Sequence, residues 1–276
     1  MLAAMHAAAT HPQPISDVAN VAAMLMAAGR GERMRPLTDH TPKPLLEVHG
    51  KPLMQWPLEA LARAGVAEVV INTAWLGPQI VERFGERCAT LRLHYSHEGQ
   101  DFGGALETAG GIARALELLC PPQRQGPLAE VFWVLAGDVY APGFVFDASV
   151  VQRFAASDKL AHLWLVPNPA HNPRGDFGLA TDPAQPDGPM RALNLRADDP
   201  QPRFTYSTIG LYRKALFAPP WCAIAPGNPH GVKAALAPLL RAAMDQHRVS
   251  AELYTGPWTD VGTPERLAAL NASTRP

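Results

Sequence analysis

Along the first half of the chain, short apolar runs alternate with amphipathic stretches. Residues 21–27 (VAAMLMA), 68–73 (EVVINT), 91–96 and 131–136 (VFWVLA) are apolar or β-branched and bounded by polar or glycine residues, which predicts buried strands. Residues 45–48 predict a further short strand. Near Pro52 a helix is expected, with Leu58, Leu61 and Ala62 as its apolar stripe and Gly65 at its end. Pro57 should bend or delay it. Residues 77–84 read as a short helix. Residues 106–119 read as a longer one, with Leu106, Ala109, Ala113, Leu116 and Leu119 spaced to face a core. Residues 97–105 read as a glycine-rich loop and 121–127 as a surface excursion.

The second half has a different pattern. Residues 162–166, 178–181 and 204–212 predict strands, and the Pro- and Gly-rich stretch 182–189 predicts a hairpin connection. Pro238 can occupy the first turn of a helix carrying Leu239, Leu240, Ala243 and Met244, and a last helix should begin near Pro264. Four strand–helix units in succession imply an α/β fold: a Rossmann-like, mostly parallel sheet with helices on both faces, plus a smaller second lobe. The expected division is a frayed extension over 1–20 and one domain, 21–276, made of two lobes, about 21–140 and about 141–276. In such sheets ligands sit beyond the carboxyl ends of strands.

Composition narrows the function. Twenty-four Lys and Arg balance 25 Asp and Glu for a formal net charge of −1, which leaves no footprint for nucleic acid. Cys88, Cys120 and Cys222 are scattered and make neither a disulfide framework nor a zinc motif, which suits a reducing cytoplasm. Residues 1–20 are Ala-rich without Lys or Arg, unlike a secretory signal, and no uncharged apolar run reaches membrane-spanning length. The expectation is a cytoplasmic protein without membrane or nucleic-acid partners, a monomer or small homo-oligomer.

The candidate chemistry starts where the first strand ends, at 27–44 (AAGRGERMRPLTDHTPKP). Gly29 and Gly31 let the backbone approach a ligand, and their N–H groups, with those of Glu32 and Arg33, can point at one anion. Arg33 and Lys43 add charge, one as a planar fork and one as a point. Taken alone, the Gly-Arg-Gly is also an ordinary turn. Neither G-x-x-x-x-G-K-[ST] nor G-x-G-x-x-G is present, the latter because residue 34 is Met. Asp138, directly after a strand, and Asp260, in WTDVGTPERL, are the carboxylates a divalent ion would want from opposite halves of the chain. By position alone, an aspartate such as Asp138 after a strand is more often a turn former, and Asp260 also reads as the approach to a helix N-terminus. In LETAGG (106–111), small residues around Glu107, Thr108 and Gly110 would let a flat base lie on the backbone.

The run G-x-G-x-R-x-x-P-x-T followed by Pro42-Lys43-Pro44 resembles the signature of the sugar-phosphate nucleotidylyltransferases, which join a nucleoside triphosphate to a sugar 1-phosphate. Segments 106–112, 137–138, 174–178 and 258–267 extend the resemblance in family order over nearly the entire chain, and the L-E-T-x-G-G form looks like the family's uridylyl-type muramate branch. The resemblance implies UTP binding by Ala28, Gly29, Gly31, Glu32, Arg33, Lys43, Glu107, Thr108 and Gly110, with Arg33, Lys43 and Asp138 as catalytic residues. It implies Mg²⁺ on Asp138 and Asp260, a sugar 1-phosphate near Gly175 and Asp176, and a nucleotide-binding first lobe (about 21–140) beside a sugar-binding second lobe (about 141–276). The implied reaction turns UTP and N-acetyl-α-muramate 1-phosphate into UDP-N-acetylmuramate and pyrophosphate. Other readings are the same reaction on mannose, glucose or glucosamine 1-phosphate with UTP, GTP or dTTP, and a non-catalytic nucleotide-sugar sensor. The family's Glu-Lys-Pro for the sugar phosphate is missing, with Arg191 and Arg196 as the stand-ins.

Overall fold

The computed structural model describes residues 20–183, 185–186 and 188–274. The extension expected over 1–20 lies, except for Asn20, outside the described residues. The first half contributes strands β1 (Ala23–Met26), β2 (Glu47–Val48), β3 (Lys51–Pro52), β4 (Glu68–Thr73), β5 (Arg87–Cys88), β6 (Leu91–His97), β7 (Val131–Ala136) and β8 (Val139–Tyr140). The second adds β9 (Ala161–Val166), β10 (Phe177–Ala180), β11 (Met190–Leu193), β12 (Arg203–Arg213), β13 (Val249–Leu253) and β14 (Thr259–Asp260). The helices are α1 (Gln55–Arg63), α2 (Gly77–Phe84), α3 (Glu98–Phe102), α4 (Glu107–Leu119), α5 (Ala148–Ala156), α6 (Ala237–Asp245) and α7 (Pro264–Ala272).

Ten strands form one sheet in the order β10-β11-β13-β9-β12-β7-β1-β4-β6-β5. β7, β1, β4 and β6 run parallel, as the alternation of strands and helices requires. β12 lies antiparallel between β7 and β9, and β13 is parallel to β9. The sheet is therefore mixed, and it runs unbroken through both halves of the chain. Alternating residues of β1 serve opposite faces: Ala23 and Leu25 pack with Leu58, Leu61, Ile80 and Phe154 beneath α1, α2 and α5. Met24 packs on the other face with Ile112, Leu116, Leu240 and Met244 of α4 and α6.

Several elements differ from expectation. Residues 43–45 form a 3₁₀ turn, and only Glu47–Val48 is extended, paired with Lys51–Pro52 in a small hairpin. Pro52 is thus part of that hairpin, and α1 begins at Gln55 with Pro57 in its first turn, where a missing N–H costs nothing. The expected loop 97–105 contains α3, and α5, β11 and β13 add to the second half.

Candidate active site

The parallel strands end along one edge of the sheet, at Met26, Thr73, His97 and Ala136. The chain leaves β1 on one side for β4 and returns on the other as β7, which is where ligand crevices form in such sheets. A cavity of about 410 Å³ lies there, and Ala28, Gly29, Gly31, Glu32, Arg33 and Lys43 line it. Gly31 has φ 68°, and a Cβ there would sit 3.1 Å from the Thr38 methyl, so the loop needs glycine for both conformation and room. Thr38 Oγ1 donates to Gly31 O at 2.9 Å and fixes the far side of the turn. Arg30 is excluded from the cavity wall: it donates to Thr38 O, pairs with Asp39 and lies 3.7 Å from the Trp75 ring centroid. Its guanidinium holds the Asp39 carboxyl below the usual carboxylate range. Arg33 lines the cavity and makes no ion pair among the described residues.

Lys43 is buried and forms a short ion pair with Asp138. Asp138 reaches that position because Gly137 N donates to Met26 O at 2.8 Å, and a Cβ on residue 137 would meet that carbonyl at 2.9 Å. β14 lies antiparallel to β8 with Asp260 opposite Val139, and Val261 N donates to Asp138 O at 2.9 Å. The two carboxylate residues thus come together from opposite ends of the chain. The Asp260 carboxylate faces Arg266 Nη1 and, at 2.9 Å, His171 Nε2.

Glu107 and Thr108 line this cavity and a second one of about 570 Å³, which also takes in Asp176, Phe177, Tyr206, Thr208 and Arg241. Glu107 has φ 60°, a strained conformation for a residue with a Cβ, at the junction of the two cavities. Gly110 lines neither: its N–H donates to Ala234 O at 3.2 Å, and a Cβ would meet Val232 O at 2.4 Å. Close packing of α4 on residues 228–234 therefore accounts for that glycine. Gly175 also stands apart, at φ 61° in a turn that backs onto the Arg203 backbone, and Asp176 alone of the pair reaches a cavity. Arg191 and Arg196 line neither cavity: Arg191 approaches Asp182, and Arg196 is exposed beside Asp198.

A buried strut missed in the sequence braces both loops. Asn72 Oδ1 accepts from Ala27 N at 2.8 Å, Asn72 Nδ2 donates to Glu98 Oε1 at 2.8 Å, and Glu98 Oε2 accepts from Leu106 N at 2.8 Å. Burial pushes the Glu98 carboxyl up, opposed by the bonds from Leu106 and Asn72. Asn72, the polar residue inside an apolar strand, was the only hint of it.

The family model for nucleotidyl transferases matches residues 22–275. The chain belongs to the nucleotidyl transferase family. Among its relatives, the N-acetylmuramate alpha-1-phosphate uridylyltransferase of Neisseria meningitidis serogroup B is 44% identical over 256 residues, covering 91% of this chain and 96% of the relative. The zebrafish (Danio rerio) mannose-1-phosphate guanylyltransferase catalytic subunit beta is 37% identical, over 45% of this chain and 32% of its own length. A crystal structure from Bacillus anthracis, described as a glucose-1-phosphate thymidylyltransferase in complex with a sucrose, superposes with a TM-score of 0.66 at 19% identity. It covers 91% of this nucleotidyl transferase and 94% of its own chain, and shows the same fold.

Proposed function

We propose that the protein joins UTP to N-acetyl-α-muramate 1-phosphate, forming UDP-N-acetylmuramate and releasing pyrophosphate. The observation that carries this reading is a pair of cavities sharing the wall at Glu107 and Thr108, with Lys43 and Asp138 at the nucleotide end. The near full-length likeness to the Neisseria uridylyltransferase favours the uridine and muramate forms of the reaction. The product is a cell-wall precursor, which suits recycling of peptidoglycan sugars in the cytoplasm. No helix among the described residues is long and apolar enough to cross a membrane.

The chemistry asks little of protein acids and bases. An oxygen of the sugar phosphate is already anionic, so it can attack the α-phosphorus of UTP in line without a general base. A new P–O bond forms to the α-phosphorus as its bond to the bridging oxygen of pyrophosphate breaks. Positioning and charge stabilisation supply the rate. The N–H groups of Gly31, Glu32 and Arg33 and the Arg33 guanidinium hold the β and γ phosphates. Lys43 stabilises negative charge developing near the α-phosphate. The uracil lies against the start of α4, where the Ala109 and Gly110 N–H groups are engaged with Ala234 O, so the backbone there is pre-set. The sugar occupies the second cavity beside Asp176.

Asp138 and Asp260 have the donor chemistry for Mg²⁺, which takes oxygen ligands and needs only one or two from protein. They would hold the ion, which neutralises phosphate charge when bound, with Asp260 giving up or sharing His171 and Arg266. The test is pyrophosphate release over a panel of sugar 1-phosphates with UTP, GTP and dTTP. Preference for UTP with N-acetylmuramate 1-phosphate is expected. Faster turnover of a glucose, mannose or glucosamine 1-phosphate would replace the substrate while keeping the reaction.

A further inference from the structure

Among the described residues, the second cavity has one cation in its wall, Arg241, on α6. Its Nη1 donates to Asn194 Oδ1 at 2.7 Å, and its guanidinium carbon lies 5.2 Å from the Phe177 ring centroid. Asn194 Nδ2 in turn donates to Asp245 Oδ1 at 3.0 Å, so the amide is oriented with its oxygen towards the arginine. Arg241 is held by a neutral partner and an aromatic face, and no carboxylate among the described residues lies within ion-pair distance of it. Asp176 shares the cavity, but its Oδ2 accepts from Tyr206 N at 2.8 Å and its Oδ1 from Asn172 Nδ2 at 3.3 Å. The guanidinium is thus fixed in place with no carboxylate in direct ion-pair contact, Asp245 one turn along α6 meeting it through the shared Asn194. A part-buried planar cation in that condition suits a carboxylate or a phosphate.

We infer that Arg241 is a specificity residue that pairs with the lactyl carboxylate of the sugar. This rests on the proposed substrate, whose sugar carries one anionic group besides its 1-phosphate. The 1-phosphate must reach the α-phosphorus near Lys43 and Asp138, in the other cavity. That leaves the carboxylate for the second cavity. N-acetylglucosamine 1-phosphate is the same sugar without the lactyl ether and has nothing to offer Arg241.

The test compares the two sugar phosphates on wild type, Arg241→Ala and Arg241→Lys, with melting curves to confirm folding. Arg241→Ala is expected to raise KM for N-acetylmuramate 1-phosphate roughly 10- to 100-fold, the range for losing a charged hydrogen bond. Its kcat/KM for N-acetylglucosamine 1-phosphate should stay within about 3-fold, so discrimination collapses. Arg241→Lys should recover part of the loss, since it keeps the charge without the fork. A parallel fall on both substrates would assign Arg241 to the 1-phosphate or to packing and overturn the inference, as would unchanged discrimination. Wild type that ignores N-acetylmuramate 1-phosphate while using another sugar would overturn the inference together with the substrate reading. Retained muramate turnover without loss of discrimination in the variants overturns the inference alone.

Discussion

Lys43 owes its position to its neighbours in sequence as much as to Asp138. Pro42 and Pro44 fix the backbone on either side, the 3₁₀ turn at Lys43–Leu45 tucks the side chain inward, and the stem is buried. An ammonium so placed is pre-organised before substrate arrives and stabilises charge without reorganising. Lys43→Met, which keeps the apolar stem, and Asp138→Asn are each expected to lower kcat by about 10²- to 10³-fold. Melting temperatures should move little, and near-normal steady-state turnover in either purified variant would remove it from the mechanism. The glycines, prolines and charges of this loop were legible because their chemistry is local. Arg241 was not: an arginine on an amphipathic helix looks like any solvated charge, and its support comes from Asn194, 47 positions away. Glu98 was hidden for the same reason, since nothing in its neighbours announces complete burial.

Among the elements, the most strongly apolar runs were legible, and several short ones that depend on a partner were not. VFWVLA can hardly be anything but a central strand, and β7 spans the same six residues. β13 is a short run, VSAEL, that becomes a strand only by pairing with β9 and β11. α3 is a single turn with Glu98 anchored inside, which glycine content alone made into a loop. α4 shows the cost of a close approach. Its Gly110 touches the Val232 and Ala234 backbone, and a backbone cannot swing aside as a side chain can. Gly110→Ala is expected to destabilise the fold by about 1–3 kcal/mol through overpacking. Urea unfolding should show a lowered midpoint at unchanged slope, whereas a stability equal to wild type would mean that residues 228–234 yield freely.

For the molecule as a whole, pH sensitivity should come from His162, where β9, β13 and α5 meet. It is almost completely buried, its Nδ1 lies 2.9 Å from Ser250 Oγ, and burial pushes its pKa down to about 3. The unfolded chain takes up the proton near pH 6.5 while the folded chain refuses it, so its stability contribution is full above pH 6.5 and lost as pH falls towards 3. Between pH 7.5 and 5.5 wild type is expected to lose about 1.4 kcal/mol more than His162→Gln. Glu252, 3.6 Å away and itself pushed up by burial, has the opposite slope nearer its own range, so the comparison with the variant isolates the histidine. Equal losses in paired denaturation curves would show that the imidazole titrates freely. The mixed character of the sheet was the least legible feature at this scale, because strand direction is a property of the pairing and not of any one strand. β12 is its keystone: it pairs with β7 on one flank and β9 on the other, with a register shift against β9 between Tyr206 and Gly210, and its Tyr206 and Thr208 line the second cavity. The two cavities share the ends of β1 and β7, at Met26 and Ala136, as one hydrogen-bonded floor, so a jaw-like hinge between them would have to tear the ladder. Any approach of one substrate to the other falls to the side chains and surface segments above that floor, and their relative alignment is set when the chain folds.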